Sequence, residues 1–323
     1  MMNDLMCKVG KLCSLCALVF CSLGLTACSS GSEFIPEEDP IHPSEAVKVV
    51  KMSADNILSG NAQTRTSYTL ETDQLKFAWA EGDKIGVCPS DGTQIAFKIK
   101  SGAGTNSAQF DGGAWALRNT ETYAAYYPYD VNNTANTNAE IRFSYEGQCQ
   151  TGNASLAHLG THDLMATNAT YAENDELNFK FKHLNSVAQF RLTVPVAAAF
   201  TSLSVVCGEK IFTKVANINL SGETYAYTQV EATNELNMKL AEVVSTAEMK
   251  DLVFYMMLPP TDLAGKTVNV VLRSDDNRVY QGSLASKTML AGYAYSFGAT
   301  LVDVTVSSQI TAPNFGSSES EIN

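Results

Sequence analysis

Cys28 is the residue whose type and position indicate a definite chemistry, because its thiol directly follows a small-residue cleavage site. A weakly basic N-terminus precedes an apolar run over 12–23, and Leu25-Thr26-Ala27 leads into Cys28. About a dozen apolar residues suit the core of a signal peptide and are too few to span a bilayer as a helix. The pattern predicts a lipoprotein signal peptide over 1–27 and a thioether to diacylglycerol at Cys28. An ordinary secretory signal is the alternative, which the polar run 29–32 disfavours.

The remaining cysteines of the mature chain form no recognisable framework. Cys88, Cys149 and Cys207 are odd in number and widely spaced, which fits neither a set of disulfides nor a metal site. Two interpretations stay open: buried small apolar residues, or one disulfide formed in an oxidising envelope.

The histidines offer a weak metal-binding pattern. His158 and His162 are four residues apart, so they would share one face of a helix, but Gly160 lies between them. Asp163 is the one further ligand nearby, and His183 follows a strand pattern. We therefore expect structural histidines, no metal and no cofactor.

Recognised catalytic motifs are missing from the sequence. It contains no Gly-x-Ser-x-Gly elbow and no phosphate-binding loop. The aromatic run Tyr123–Tyr129 could stack sugars or pack in a core, and Pro128, typical of a strand end, favours the core. We predict that the chain is not an enzyme.

The net charge restricts the partners. The formal charge is −12 at pH 7, so no basic surface is available to displace counterions from phosphates. We therefore exclude nucleic acid as a partner.

Alternation of apolar and polar residues dominates after residue 45. Runs such as Gln94–Lys100 and Leu177–Lys182 change face at every residue, and turn residues separate them. This pattern predicts an all-β chain with two β-sandwiches over 46–174 and 175–323, after a flexible tether at 28–45. Short helices are expected only near 155–158 and 240–250.

Several segments, taken in order, resemble the fimbrillin family of Bacteroidales, the subunits of lipoprotein-derived pili. They are Phe77–Val87, Tyr123–Tyr129, Asp163–Ala166, Phe179–Ser186 and Ala291–Phe297. Each is a turn or strand and none is a catalytic motif, so the resemblance concerns fold and assembly.

The resemblance implies two tandem transthyretin-like β-sandwiches and assembly by strand exchange. A lipidated precursor reaches the outer membrane through Cys28, and an Arg-specific protease removes its first strand. The open groove then accepts a strand from another fimbrial subunit, which is a form of β-augmentation.

The sequence offers a candidate for each part of this process. Cleavage between Arg65 and Thr66 would release a removable first strand within 46–65. A donor strand is expected at about 301–312, where the residues of one parity are apolar: Val302, Val304, Val306 and Ile310. An ordinary loop arginine and a final strand of the chain's own second sandwich remain the alternatives.

Three functions are compatible with these features. The leading one is a structural subunit of a surface fimbria that supports adhesion. The second is a lipid-anchored surface protein that binds a glycan or host ligand and never polymerises. An envelope enzyme is the third and weakest.

Overall fold

The computed structural model describes residues 50–54, 69–71, 74–90, 93–113, 117–133, 139–172, 176–222, 224–246 and 251–305. The predicted signal peptide, Cys28 and the tether fall outside these residues, as do Arg65, Thr66, Val306 and Ile310. The predictions for them therefore stay predictions.

The described chain is nearly all β, which confirms the predicted fold class. Its elements in chain order are β1 (Val50–Ala54), β2 (Thr69–Glu71), β3 (Gln74–Lys76), β4 (Lys84–Cys88), β5 (Ile95–Ser101), β6 (Ser107–Asp111), β7 (Thr122–Tyr127), the 3-10 helix η1 (Val131–Asn133), β8 (Glu140–Ser144), β9 (Cys149–Thr151), the 3-10 helix η2 (Leu159–His162), β10 (Met165–Thr170), β11 (Asn178–His183), β12 (Ser186–Thr193), β13 (Ala198–Cys207), β14 (Phe212–Asn219), β15 (Ala226–Thr233), β16 (Glu235–Ser245), β17 (Asp251–Leu258), β18 (Thr261–Asp262), β19 (Val268–Ser274), β20 (Val279–Leu284), β21 (Thr288–Met289), β22 (Ala294–Thr300) and β23 (Val302–Asp303).

The N-terminal strands form one sheet that closes on itself in the order β1-β11-β10-β7-β4-β5-β6. Period-2 patterning explains its core: in β11, Phe179, Phe181 and His183 are buried while the lysines between them are exposed. The inward residues of the closed sheet pack with Phe77 and Trp79 into a single aromatic-rich cluster.

Two further sheets enclose the second core. The orders are β17-β12-β22 and β23-β20-β19-β13-β16-β9, and side chains from both meet in one cluster that includes Phe190, Phe254 and Leu272. Facing sheets of alternating strands are the arrangement of a β-sandwich. A third sheet, β15-β14-β8, packs against a smaller cluster around Ile141 and Ile218.

Strand pairing crosses the predicted boundary at residue 174 in both directions. β11 lies after it but pairs with β10 and β1, whereas β8 and β9 lie before it but pair with β14 and β16. The sequence break near 174 is polar, yet Tyr171 and Leu177 on either side are buried in the same cluster. The polar break therefore falls between β10 and β11, which are neighbouring strands of one sheet.

The expected helix over 240–250 is wrong for its described part. Leu240 to Ser245 continue β16, which pairs with β13 along most of its length. The helix expected near 155–158 is displaced: the short 3-10 helix occupies Leu159–His162, and residues 155–158 are not helical.

Candidate assembly site

β1 is the strand that closes the N-terminal sheet. It pairs in parallel with β11 on one side and antiparallel with β6 on the other. The register sets Val50 opposite Phe110 and Ala54 opposite Phe181. Without β1, the sheet would present two open edges separated by the width of one strand.

The groove beneath β1 has aromatic walls. Phe110 of β6 and Phe181 of β11 are both fully buried and both meet the ring of Trp79 edge-on, with ring centroids 5.0 Å and 5.7 Å away. Trp79 also meets Phe77 at 4.8 Å. Aromatic rings that meet edge-on in this way add to the stabilisation that burial alone provides.

The C-terminal segment leaves the second core between Leu301 and Val302. Leu301 is 2% exposed and packs in the sandwich, whereas Val302 and Val304 are 59% and 41% exposed. β23 pairs with β20 at the outer end of its sheet, and Val304 donates its N–H to the Val279 carbonyl at 2.8 Å. Two of the four predicted donor residues thus present apolar side chains to solvent.

The side chains of two of the three described histidines have hydrogen-bond partners within the fold. His158 Nε2 lies 2.8 Å from the Tyr255 carbonyl, and His183 Nδ1 lies 2.7 Å from Asp163 Oδ2 in a buried pair. Burial lowers the pKa of His158 and of His162 to about 4, so both are neutral at pH 7. Within the described ranges, no group of three or more His, Cys, Asp or Glu side chains is arranged to hold a metal ion.

The other candidate residues belong to the interior. Tyr123, Tyr126 and Tyr127 of β7 are buried, which resolves the aromatic run in favour of the core. The Tyr127 hydroxyl donates to Asp83 Oδ1 at 3.0 Å.

The cysteines are free. Cys88, Cys149 and Cys207 form no disulfide with one another. Burial raises the pKa of the Cys88 thiol to about 12, which keeps it protonated and unreactive.

Gln148 and Gln150 carry a role that the sequence patterns did not reveal. Both side chains are fully buried, and both bind main-chain groups of β17, more than 100 residues later in the chain. The available signal was the alternation of two glutamines with Cys149 in a strand, where residues i and i+2 share a face.

No helix in the part of the chain that the structure describes has the length and apolar character needed to cross a membrane.

Comparison with known proteins identifies a family through its sequence model. A sequence model of a family described as fimbrillin-like matches residues 64–314. No curated protein matches the chain.

Among solved structures, a candidate cell adhesion protein of Bacteroides ovatus aligns with a TM-score of 0.52 and 16% identity, covering 81% of this chain and 97% of that one. A fimbrial assembly protein of Parabacteroides distasonis aligns with a TM-score of 0.37 and 11% identity, covering 78% and 91%. The C-terminally truncated tip fimbrial protein Mfa3 of Porphyromonas gingivalis gives 0.33 and 10%, covering 79% and 99%.

Proposed function

The chain belongs to the fimbrillin-like family, and from that premise we propose that it is a structural subunit of a fimbria assembled by strand exchange at the outer membrane. Membership of the family itself gives a fimbrial or adhesive role at the cell surface, in association with other fimbrial subunits.

Delivery depends on Cys28. Acylation there holds the precursor in outer-membrane lipid, while β1 fills the groove of its own sheet. A filled groove matters because an open edge between β6 and β11 would pair with any available strand. The lipid anchor is thus temporary and leaves with the segment before Thr66.

Cleavage after Arg65 by an Arg-specific protease starts assembly. It separates β1 covalently from the rest of the chain, and β1 is the strand that completes the closed sheet. This coincidence between the predicted cleavage site and the closing strand is the observation that carries the proposal.

The incoming strand is the C-terminal segment of another subunit. Val302 and Val304 are exposed in this chain and share their parity with Val306 and Ile310. Apolar residues at alternate positions suit a groove whose inner wall is formed by Phe110 and Phe181, while main-chain hydrogen bonds to both edges supply general affinity.

The test uses the chain beginning at Ser29, which retains every described residue. Digestion with an Arg-specific endoprotease should give a product whose N-terminal sequence starts at Thr66. On an unboiled gel, this product should form a ladder of oligomers. The variant Arg65→Ala should stay monomeric under the same digestion.

Two results would contradict the proposal. A product that starts at Thr66 but remains monomeric would favour the non-polymerising, lipid-anchored binding protein. A ladder from the undigested Arg65→Ala variant would mean that this cleavage does not control assembly.

A further inference from the structure

β17 combines an apolar sequence with a position at the end of a sheet. It pairs with β12 on one side only, in the order β17-β12-β22. Residues 252–258 read LVFYMML, without charge, proline or glycine. A segment of this composition at an open edge is the usual template for pairing between copies of a chain.

Three residues in the apolar part of β17 nevertheless have all their outward main-chain groups bonded. These residues are Val253, Tyr255 and Met257, whose N–H and C=O point away from β12. Gln148 binds both outward groups of Met257: its Oε1 accepts from the Met257 N–H at 2.7 Å and its Nε2 donates to the Met257 carbonyl at 2.8 Å. The same Nε2 also donates to the Tyr145 carbonyl at 3.2 Å.

Gln150 continues this pattern along the edge. Its Oε1 accepts from the Tyr255 N–H at 2.8 Å, and its Nε2 donates to the Val253 carbonyl at 3.0 Å. Asn153 Oδ1 accepts from the Val253 N–H at 2.8 Å, and His158 Nε2 reaches the Tyr255 carbonyl at 2.8 Å. Side chains thus satisfy each outward group of these three residues.

The segment that carries these side chains directs most of its main-chain bonds to the opposite sheet, although Ala154 also donates its N–H to the Val253 carbonyl at 2.9 Å. β9 pairs in parallel with β16 of the opposite sheet, and Lys239 donates its N–H to the Gln148 carbonyl at 2.9 Å. Because Gln148 and Gln150 are two apart in an extended chain, their side chains point together toward β17. One short segment therefore pairs its backbone with β16 of one sheet and covers the edge of the other mainly with side chains.

An amide side chain ends a sheet, whereas another strand would only extend it. A paired strand presents a new row of N–H and C=O groups on its far side, and a side-chain amide presents none. Gln148 and Gln150 are both fully buried, so water does not compete for these bonds.

We propose that Gln148, Gln150, Asn153 and His158 form an edge cap that keeps β17 from pairing with β17 of a second copy of this chain. Two identical edges can meet antiparallel across a two-fold axis, which makes a second copy the natural occupant of an uncapped edge. The cap acts on the intact chain, so it requires neither cleavage at Arg65 nor strand exchange.

The experiment replaces both glutamines by residues of similar length that cannot form the hydrogen bonds. The double variant Gln148→Met/Gln150→Met, in the uncut chain that begins at Ser29, should form dimers or larger species, while the parent chain stays monomeric. Light scattering on a size-exclusion column measures the mass over a concentration series. Circular dichroism verifies that the variant is folded.

Gln189→Met is the matched control. Gln189 is also buried and donates to the Tyr255 hydroxyl at 2.8 Å, but it does not cover the edge of β17. This variant should lose stability and remain monomeric. Equal association of the control and the double variant would show that general loss of stability causes it, and would overturn the proposal.

A folded, monomeric double variant would also overturn it. If the double variant does not fold, the single variants and Asn153→Ala provide the test, since Asn153 is exposed and its side chain is dispensable for packing. Their amides in β17 should exchange hydrogen faster than in the parent, and self-association should follow the number of bonds removed. Monomers in every folded variant would refute the cap.

Discussion

Val302 lies opposite Gln281 at the outer edge of the β20 sheet, with 59% of its side chain exposed. Leu301, one residue earlier, is buried in the second core. The chain therefore stops contributing to its own core at a sharp point. The alternate residues that follow, Val304, Val306 and Ile310, are also apolar. Val304, the one of these three that the structure describes, is 41% exposed and not part of the core.

The double variant Val302→Ser/Val304→Ser tests whether these side chains serve a neighbouring subunit. Both are largely exposed, so the free energy of unfolding should change by less than about 0.5 kcal/mol. If the proposed donor strand is correct, the ladder on an unboiled gel should disappear after Arg-specific cleavage, because serine side chains cannot fill an apolar groove. Thermal and urea unfolding of the uncut chain provide the stability measurement.

Val244→Ser is the matched control for that variant. Val244 is 49% exposed on β16, comparable in exposure to the two proposed donor valines. The control should polymerise like the parent. Polymerisation of Val302→Ser/Val304→Ser at the parental rate would remove these residues from the donor strand.

A second prediction concerns Gly282, which lies beneath the point where the chain leaves the core. A Cβ at this position would lie 2.8 Å from Leu301 Cδ2 and 3.2 Å from the Thr300 carbonyl oxygen. Gly282→Ala should therefore lower the free energy of unfolding by about 1–3 kcal/mol through overpacking. Gly208→Ala is the control, because nothing lies within 4 Å of its added Cβ. Equal stability of the two variants, measured by urea unfolding, would contradict the packing described.

The strands were predictable wherever one face is buried and the alternation is unbroken, as in β11. β16 shows how this fails. Its buried residues Leu236, Met238 and Leu240 follow period 2, but the next is Val243. Glu242 has a φ of 57°, and the pairing with β13 is irregular nearby, so the strand bulges and shifts its parity. In the sequence, the spacing of three residues between Leu240 and Val243 is also typical of a helix, which explains the wrong helix prediction for this segment.

The contacts between distant segments were not predictable from one sequence. Gln148 bonds Met257 at a separation of 109 residues, and nothing in the local sequence of either residue specifies the other. The same holds for the place of β1, which the alternation predicts as a strand but not as the one between β6 and β11. Local patterns set the faces of strands, and the tertiary fold selects their neighbours.

A third prediction follows from the buried, neutral state of His158. Desolvation lowers its pKa from 6.5 to about 4 in the folded chain. The unfolded chain therefore binds a proton below pH 6.5 while the folded chain does not until about pH 4. Unfolding is favoured as the pH falls through this window, by about 3 kcal/mol in total for a shift of this size. The stability is fully present above pH 6.5.

His158→Gln should reduce this acid sensitivity. Its amide can still donate to the Tyr255 carbonyl but does not titrate in this range. Urea unfolding at pH 7 and at pH 4.5 should differ less in the variant than in the parent. His162, whose pKa burial also lowers to about 4, should retain its own part of the effect. An unchanged pH dependence would show that His158 is accessible to protons in the folded chain.

The last prediction concerns the groove that β1 occupies. A synthetic peptide of residues 301–312 should compete with the neighbouring subunit for the groove of Arg-cleaved protein, and so suppress the ladder. Its apolar parity matches a groove whose wall contains Phe110 and Phe181, while its main chain can pair with the free edges of β6 and β11. A peptide with serine at Val302, Val304, Val306 and Ile310 keeps the main chain but loses the apolar face.

Binding should also stabilise the cleaved protein. At a peptide concentration about 100 times its Kd, the gain is about 2.7 kcal/mol, which differential scanning fluorimetry would detect as a higher Tm. The serine peptide should neither raise the Tm nor suppress the ladder. Equal effects of both peptides would contradict the prediction. They would mean that main-chain pairing with the edges of β6 and β11 is enough for binding, and that the aromatic residues do not favour a strand with apolar side chains.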